Sequence, residues 1–507
     1  MPDIVLSTLN AKFIHAAFGL RYLFANLGEL QSRARIVEFD INQKPLDIVE
    51  VLLAQNPKII GLGIYIWNVS EATEVAAAIK RVRPKIKIVL GGPEVSHETE
   101  SQEIVRLADH VITGEADLKF AEVCEQILRG EFPEKIIPAP LPEFSQLKLP
   151  YEFYDARDIA HRIIYVEASR GCPFTCEFCL SSLDIPVRAV PIDLFLGEMQ
   201  KLLDRGVRQF KFVDRTFNLN IATSRAILEF FLARHRDGNF YHFEMIPDRL
   251  PDALREIIAK FPTGSLQFEV GIQTFNPQVG QNISRRQNYE RLADNLNFLR
   301  RETGVHIHAD LIVGLPGETV ESFADGFDKL VALRPQEIQV GILKRLRGTP
   351  ISRHDVAWQM IYNPQPKYEI LQNKLIDFAT MQKLRRFAKY WDLIGNSGNF
   401  VETTPLIWQK NSPFHSFMQL SDWLFARANR TDSIPLAKLM EWLFEFLTKE
   451  LNLDAKIVAE TLWRDYQRGG RNDKPTFLRE FLSDEESATL RHSTQLPKRQ
   501  ARHLIQH

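Results

Sequence analysis

Along the first 135 residues, short apolar runs alternate with amphipathic stretches. DIVLSTLN, ARIVEFD, IIGLGIY, KIVLGG and HVITGE are candidate strands, each followed by a helical segment. Strands alternating with helices indicate a parallel sheet covered on both faces, and five of them predict a doubly wound, Rossmann- or flavodoxin-like domain over 1–135. The proline-rich IIPAPLPEF interrupts both periodicities and predicts a linker over 136–160. The alternation resumes over 161–349 with IIYVEASRG, QFKFVD, FYHFEM, LQFEVGIQT, HIHADLIVGLPG and EIQVGILKRL, separated by amphipathic segments. Six strand-then-helix units predict a partial (β/α)6, TIM-like barrel with its chemistry at the C-terminal ends of the strands. The fold class is therefore α/β.

Beyond 350 the strand signal fades. Aromatic-rich helical stretches such as ILQNKLIDFATMQKLRRFAKYW predict a helical C-terminal domain over 350–485, followed by a frayed tail at 486–507. Helix-spaced Trp and Phe are read as packing. HSFMQLSDWLF (415–425) fits a lid over the barrel and an ordinary core equally well.

In a doubly wound sheet the ligand sits at the carboxyl ends of the strands. Gly61 and Gly63 lie in the third strand and Tyr65 follows it. Gly91, Gly92 and Glu94 follow the fourth strand, and Gly114 and Glu115 the fifth. Glycines there let a large flat ligand approach the backbone, and they equally serve plain turn geometry.

Charge narrows the partners only by exclusion. Lys plus Arg (63) balances Asp plus Glu (64) in a chain of 507 residues, so no global field favours nucleic acid, a membrane surface or an acidic partner. The N-terminus lacks the basic-then-apolar order of a secretory signal, and no run approaches the roughly 18 apolar residues of a spanning helix. A cytoplasmic location is expected.

The chain has four cysteines, at 124, 172, 176 and 179. Three fall in SRGCPFTCEFC, which points to a metal or redox site rather than to disulfides. Cys124, in the helical FAEVCEQIL, reads as a small buried hydrophobe. Thiolates are the soft ligands of iron-sulfur clusters, and three of them leave one iron of a 4Fe-4S cluster open for chemistry. The alternative is zinc with a distant His as fourth ligand.

The motif resembles that of the radical S-adenosylmethionine superfamily, Cys-x3-Cys-x-aromatic-Cys, with Phe178 as the aromatic. The resemblance implies that Cys172, Cys176 and Cys179 hold a 4Fe-4S cluster. Its open iron would chelate S-adenosyl-L-methionine (SAM), and its electron would release the 5′-deoxyadenosyl radical. Asp214, in VDRTFN after the second barrel strand, stands where many members have Gly-Gly-Glu and is the candidate for the methionine amino group. FEVGIQT resembles the Glu-x-Gly-x-Gln of one branch, which puts Glu269 and Gln273 at the barrel mouth. Arg285, or its neighbour Arg286, would clamp the methionine carboxylate. Gly314, Pro316 and Gly317 in DLIVGLPGET would shape a turn near the nucleoside. The competing reading for each polar residue is a barrel-end salt bridge.

A doubly wound domain before such a barrel resembles the cobalamin-binding class of the superfamily, and 350–480 resembles a helical extension of one uncharacterised subgroup. The Asp-x-His-x-x-Gly motif that supplies a histidine to cobalt is absent, and His15 lacks its spacing. Cobalamin would then bind without a protein imidazole, or the domain has lost it. The implied activity is cobalamin-dependent methylation of an unactivated carbon in a small-molecule or macromolecular substrate, with a reducing donor such as flavodoxin or ferredoxin. The alternatives are a methyl-free rearrangement, oxidation or ring closure, and a non-catalytic cobalamin or cluster sensor.

Overall fold

A computed structural model describes residues 1–482 and 497–503. Most of the expected tail, and the limit at 485, lie outside the described residues. The chain divides into two compact units. The first comprises Met1–Arg215, Lys344–Ser352 and Asn363–Tyr368; the second comprises Thr216–Leu343, Arg353–Tyr362 and Glu369–His507.

In the first unit, β1 (Ile4–Asn10), β2 (Ala34–Asp40), β3 (Ile59–Gly63), β4 (Lys87–Gly91), β5 (His110–Thr113) and β6 (Ile136–Pro138) form one sheet in the order β2-β1-β3-β4-β5-β6. Its strands pair in parallel, for example Ile4↔Ile59 and Ile59↔Lys87. The strand order reverses direction at β1/β3, the switch point where doubly wound sheets bind ligands. Strand alternation sorts the apolar residues into two cores. Val5, Leu9, Ile60, Leu62, Ile88 and Leu90 share one face with the helices Pro45–Ala54 and Val69–Val82. Ile4, Leu6, Ile59, Val89 and Ile112 share the other with Phe18–Ala25 and Lys119–Leu128.

The expected five strands gain a sixth, β6, from the proline-rich stretch expected as linker. Its proline is tolerated because β6 is an edge strand, where one side of the backbone needs no ladder partner. The same unit continues through β7 (Ile164–Val166), the helix Ile192–Asp204 and β8 (Gln209–Phe212), with β8 parallel to β7.

The second unit carries the parallel neighbours β9 (Phe240–Met245), β10 (Leu266–Gln273), β11 (His306–Val313) and β12 (Glu337–Ile342). All six strands expected after residue 160 are therefore present. Helices Phe378–Ile394, Pro413–Ala428, Leu436–Glu445 and Ala455–Arg468 follow. The aromatic spacing is packing: Trp391 meets Phe327 at 4.7 Å and Phe417 at 4.9 Å between ring centroids. Phe417, Leu420 and Leu424 are fully buried, so 415–425 is a core helix of this unit and not an open lid. The part of the expected frayed tail that is described forms the helix Lys498–His503. Ion pairs from Arg499 to Glu337 at 2.8 Å and to Asp392 at 2.7 Å hold it there. Among the described residues no helix is long and apolar enough to cross a membrane.

Candidate functional site

The cysteine loop is closed at its base by Ser169–Arg170 pairing antiparallel with Arg188–Ala189. Gly171 opens it at φ +89°, where a Cβ would stand 2.7 Å from the Asp184 carbonyl, so only glycine fits. Inside, Cys172 N–H donates to Asp184 O at 3.0 Å and Cys179 N–H to Cys176 O at 3.1 Å. The Ser182 hydroxyl donates to Cys179 O at 2.6 Å. Cys172 and Cys176 are buried, Cys179 and Phe178 half-buried, and none of the four cysteines is in a disulfide. Cys124 is fully buried in the first sheet's core, and burial pushes its thiol well up. Among the described residues no three His, Cys, Asp or Glu side chains form a ready metal-holding group. Backbone hydrogen bonds and the short ladder at its base hold the three cysteines in one loop. Three buried or half-buried thiols in a pinned loop are still the donor set an iron-sulfur cluster selects.

Asp214 is 2% exposed and accepts from Ala168 N–H at 3.0 Å and Ser169 O–H at 2.6 Å. Burial pushes its carboxyl up to about 6 against those hydrogen bonds. Its oxygens are engaged by the strand that enters the cysteine loop, so the structure gives Asp214 an anchoring place rather than one open to an amino group.

On the Phe18–Ala25 and Lys119–Leu128 face of the first sheet lies a cleft of about 250 Å3. Gly61, Gly63, Tyr65, Gly91, Gly92, Gly114 and Glu115 all line it. Their reasons for being there differ. A Cβ on Gly91 would meet nothing closer than Ile112 O at 3.8 Å, so this glycine opens the cleft. Gly92 has φ +108°, and a Cβ there would stand 2.5 Å from Ile64 O, so its smallness serves the backbone and not a ligand. Tyr65 stacks on Trp67 at 4.4 Å. Glu115 is held by Arg170 and Arg188. Glu94 departs from expectation. It is 4% exposed, is absent from the cleft lining, pairs with Arg347 at 2.9 Å and accepts from Tyr368 O–H at 2.6 Å. His15 lies away from the cleft lining and meets Tyr165 O–H at 2.6 Å. The cleft fits part of a large flat ligand: its volume is below the roughly 300–1,000 Å3 of pockets that enclose a drug-sized molecule.

In the second unit the end of β10 is irregular. The ladder to β11 shifts register between Gly271 and Gln273, and Gln273 takes the left-handed φ of +72°. A strained non-glycine residue at a strand end marks a site worth testing. Arg285 donates to Gly271 O, whereas Arg286 is exposed, so the geometry favours Arg285 of the two. Gln287 donates to Ile272 O at 2.7 Å, and the Thr274 hydroxyl donates to Glu318 at 2.6 Å. The buried Oε1 atoms of Gln273 and Gln287 and Oε2 of Glu318 have no hydrogen-bond partner. Three orphaned acceptors around residues 272–274 suit a ligand rich in N–H and O–H donors, as SAM is. Burial pushes the Glu318 carboxyl up to about 7 against bonds from Thr274 and Ser322.

Glu269 pairs with His242 at 3.0 Å. Beside it on the same face, burial disfavours charge on His308, but Asp310 and Glu337 hold its imidazole up to about 10. Gly314 packs against Ile370 and Met381, a tertiary role its motif does not announce. The sequence reading missed Gln287, Glu318, His308 and Arg170. The polar residues at every second position of HIHADLIV were a usable signal for His308, because a buried strand face has little other reason to carry them.

Residues 166–330 match the radical SAM superfamily, residues 4–124 the B12 binding domain, and residues 356–506 a family described as proteins of unknown function (DUF4080). The chain is 24% identical over 308 residues to an uncharacterised methyltransferase of Pyrococcus horikoshii, covering 54% of this chain and 64% of that one, so it spans less than two thirds of that relative. Its fold is similar to that of a radical SAM methyltransferase, TsrM from Kitasatospora setae, with cobalamin and an iron-sulfur cluster bound. That likeness has a TM-score of 0.57 and 17% identity, and covers 69% of this chain and 77% of that one. It is also similar to the cobalamin-dependent SAM radical enzyme OxsB with aqua-cobalamin bound, with a TM-score of 0.63 and 13% identity, covering 95% of this chain and 84% of that one.

Proposed function

We propose that this chain, which joins a B12-binding domain to a radical SAM domain, is a cobalamin-dependent radical enzyme that replaces a C–H bond of its substrate by C–CH3. The observation that carries the reading is the presence, in one compact unit, of a glycine-walled cleft at the carboxyl ends of β3, β4 and β5 and a pinned loop with three cysteines. When bound, a 4Fe-4S cluster supplies the electron that cleaves SAM, and cobalamin supplies a methyl group held ready for transfer.

The chain's own residues then have separable tasks. Cys172, Cys176 and Cys179 hold the cluster and leave one iron without a protein thiolate. Ser169 and Ala168, fixed by Asp214, set the entry of that loop. Gly91, Tyr65 and Phe120 form walls of the cleft, whose size admits part of a cobalamin and leaves the rest outside it. Among the described residues the cleft lining holds no histidine, and His15 is engaged with Tyr165. In the second unit Gln273, Gln287 and Glu318 present acceptors to amino and hydroxyl donors of SAM, and Arg285 is the cation for its carboxylate. A small reducing protein such as flavodoxin or ferredoxin supplies electrons in the cytosol.

Anaerobic reconstitution tests this directly. Iron, sulfide and corrinoid analysis should return one 4Fe-4S cluster and about one corrinoid per chain, and SAM should yield 5′-deoxyadenosine. A product heavier by one methylene supports methylation. Turnover of SAM with a product that gains no carbon would assign the same chemistry to rearrangement, oxidation or ring closure. No turnover by the fully loaded protein would leave the sensor reading.

A further inference from the structure

Both stems of the cysteine loop are tied to a single carboxylate. Arg170 and Arg188 face each other across the short ladder that closes the loop. Glu115, in the turn after β5 and in the wall of the cleft, takes Arg170 Nη1 on Oε2 at 2.8 Å and Arg188 Nη2 on Oε1. Arg170 reaches on to Asp117 at 2.9 Å and Glu167 at 2.9 Å, and its guanidinium lies 4.4 Å from the centre of the Tyr22 ring. Asp117, Tyr22 and Arg170 itself also line the cleft. Arg188 reaches on to the Asp184 carboxylate at 3.2 Å, and the Asp184 carbonyl accepts the Cys172 N–H. Contacts therefore run without a break from the cleft wall to the first cysteine of the loop. The Arg170 and Arg188 side chains are only 13% and 10% exposed, so water and salt screen these pairs weakly.

We propose that Glu115, Arg170 and Arg188 are positioning residues that clamp the cysteine loop to the wall of the corrinoid cleft, so that filling either site strengthens the other. The proposal rests on the cofactor reading above. A corrinoid seated against the Glu115 turn fixes the carboxylate that both loop stems hold. A cluster-filled loop fixes the two guanidiniums that hold that turn. Coupling of this kind is reciprocal by linkage, and its usual size is about 5-fold to 150-fold in affinity. A network that only stabilised the fold would lower the melting temperature when broken and would leave the two affinities independent.

The test uses the full chain with its cluster, and a cluster-free form carrying Cys172→Ala, Cys176→Ala and Cys179→Ala. Hydroxocobalamin titrated anaerobically into both should bind the cluster-loaded form at least about fivefold more tightly. Cob(II)alamin, used in place of hydroxocobalamin so that Co(III) does not oxidise the reduced cluster, should also shift the electron paramagnetic resonance of that cluster. Arg188→Gln, which alters no residue of the cleft lining, should bring the affinity ratio to about one and abolish the shift. Arg188→Lys keeps the charge but cannot hold Glu115 and Asp184 together; it should give an intermediate ratio, and it carries the test if the glutamine variant fails to fold. Equal affinities in the two unmutated-Arg188 forms, or a full ratio in the folded Arg188 variants, overturn the clamp and leave the cofactor reading standing. Absence of bound iron or corrinoid from the parent protein overturns that reading itself, and the clamp with it.

Discussion

The cleft of the first unit and the strand ends of the second are finished to different degrees by the chain alone. Around the cleft the charged groups largely satisfy one another, Glu115 with Arg170 and Arg188 and Arg170 with Asp117 and Glu167, while the buried Tyr22 hydroxyl has no hydrogen-bond partner. What remains for a ligand is a mainly apolar, glycine-opened space with one orphaned hydroxyl in its wall. At the end of β10 the reverse holds, with buried acceptors on Gln273, Gln287 and Glu318 and a strained backbone at Gln273. The first arrangement selects by shape and the second by hydrogen-bond donors. Substitutions should therefore act through volume in one unit and through polarity in the other.

The largest effect expected falls on the loop that belongs to neither pattern. Cys172→Ala, Cys176→Ala or Cys179→Ala should each abolish cluster iron and SAM cleavage. Cys124→Ala should keep both at a cost of about 1 kcal/mol, the scale of removing one buried heavy atom. Loss of iron in Cys124→Ala to the same extent would break the assignment of three ligands.

Volume in the cleft comes next. Gly91→Trp should keep the fold and weaken hydroxocobalamin binding about a hundredfold, because its Cβ meets only an ordinary contact with Ile112 O at 3.8 Å and the rest of the side chain fills the cleft. Gly92→Ala should instead lower stability by about 3 kcal/mol, from a Cβ against Ile64 O and an unfavourable positive φ. Undiminished corrinoid binding in folded Gly91→Trp would remove the cleft from the ligand's path.

Polarity at β10 is probed by Gln273→Gly. Glycine accepts φ +72° without strain, so stability should rise by about 1 kcal/mol. SAM affinity should fall about tenfold to a hundredfold through the lost acceptor. A gain in stability with unchanged affinity would return this strand end to a structural role.

The smallest effect is a pH dependence at Asp214. Its folded carboxyl, raised by burial to about 6 from the ordinary 3.8, favours the protonated form. Its contribution to stability is therefore complete below about pH 4 and is lost as pH rises through 6. Between those limits the melting temperature of the parent protein should fall relative to Asp214→Asn. Parallel curves would show that Asp214 does not titrate in that window.

Much of this was legible in the residues. The strands were readable because buried parallel strands are nearly continuous apolar runs, and the cysteine loop because its ligand chemistry is local in sequence. The glycines of the cleft were also found, but ligand approach and plain turn geometry could not be divided among them. Gly91 and Gly92 are adjacent in sequence, and only the approach of Ile64 O distinguishes them. Glu94 and Glu115 likewise look equivalent after successive strands, yet one holds Arg347 and Tyr368 and the other the stems of the cysteine loop.

The sequence by itself determined the alternation of elements, the three thiols and the reach of the loop between them, because each depends on periodicity or spacing along one segment. Tertiary structure alone decided which carboxylates are spoken for and which acceptors are left over. It also decided that the edge strand comes from the proline-rich stretch, and that 415–425 is core. Those outcomes depend on partners tens to hundreds of residues away, such as Arg170 for Glu115 and Tyr368 for Glu94. Burial makes each such partner matter: once water is excluded, a polar atom must be paired within the fold or left for a ligand.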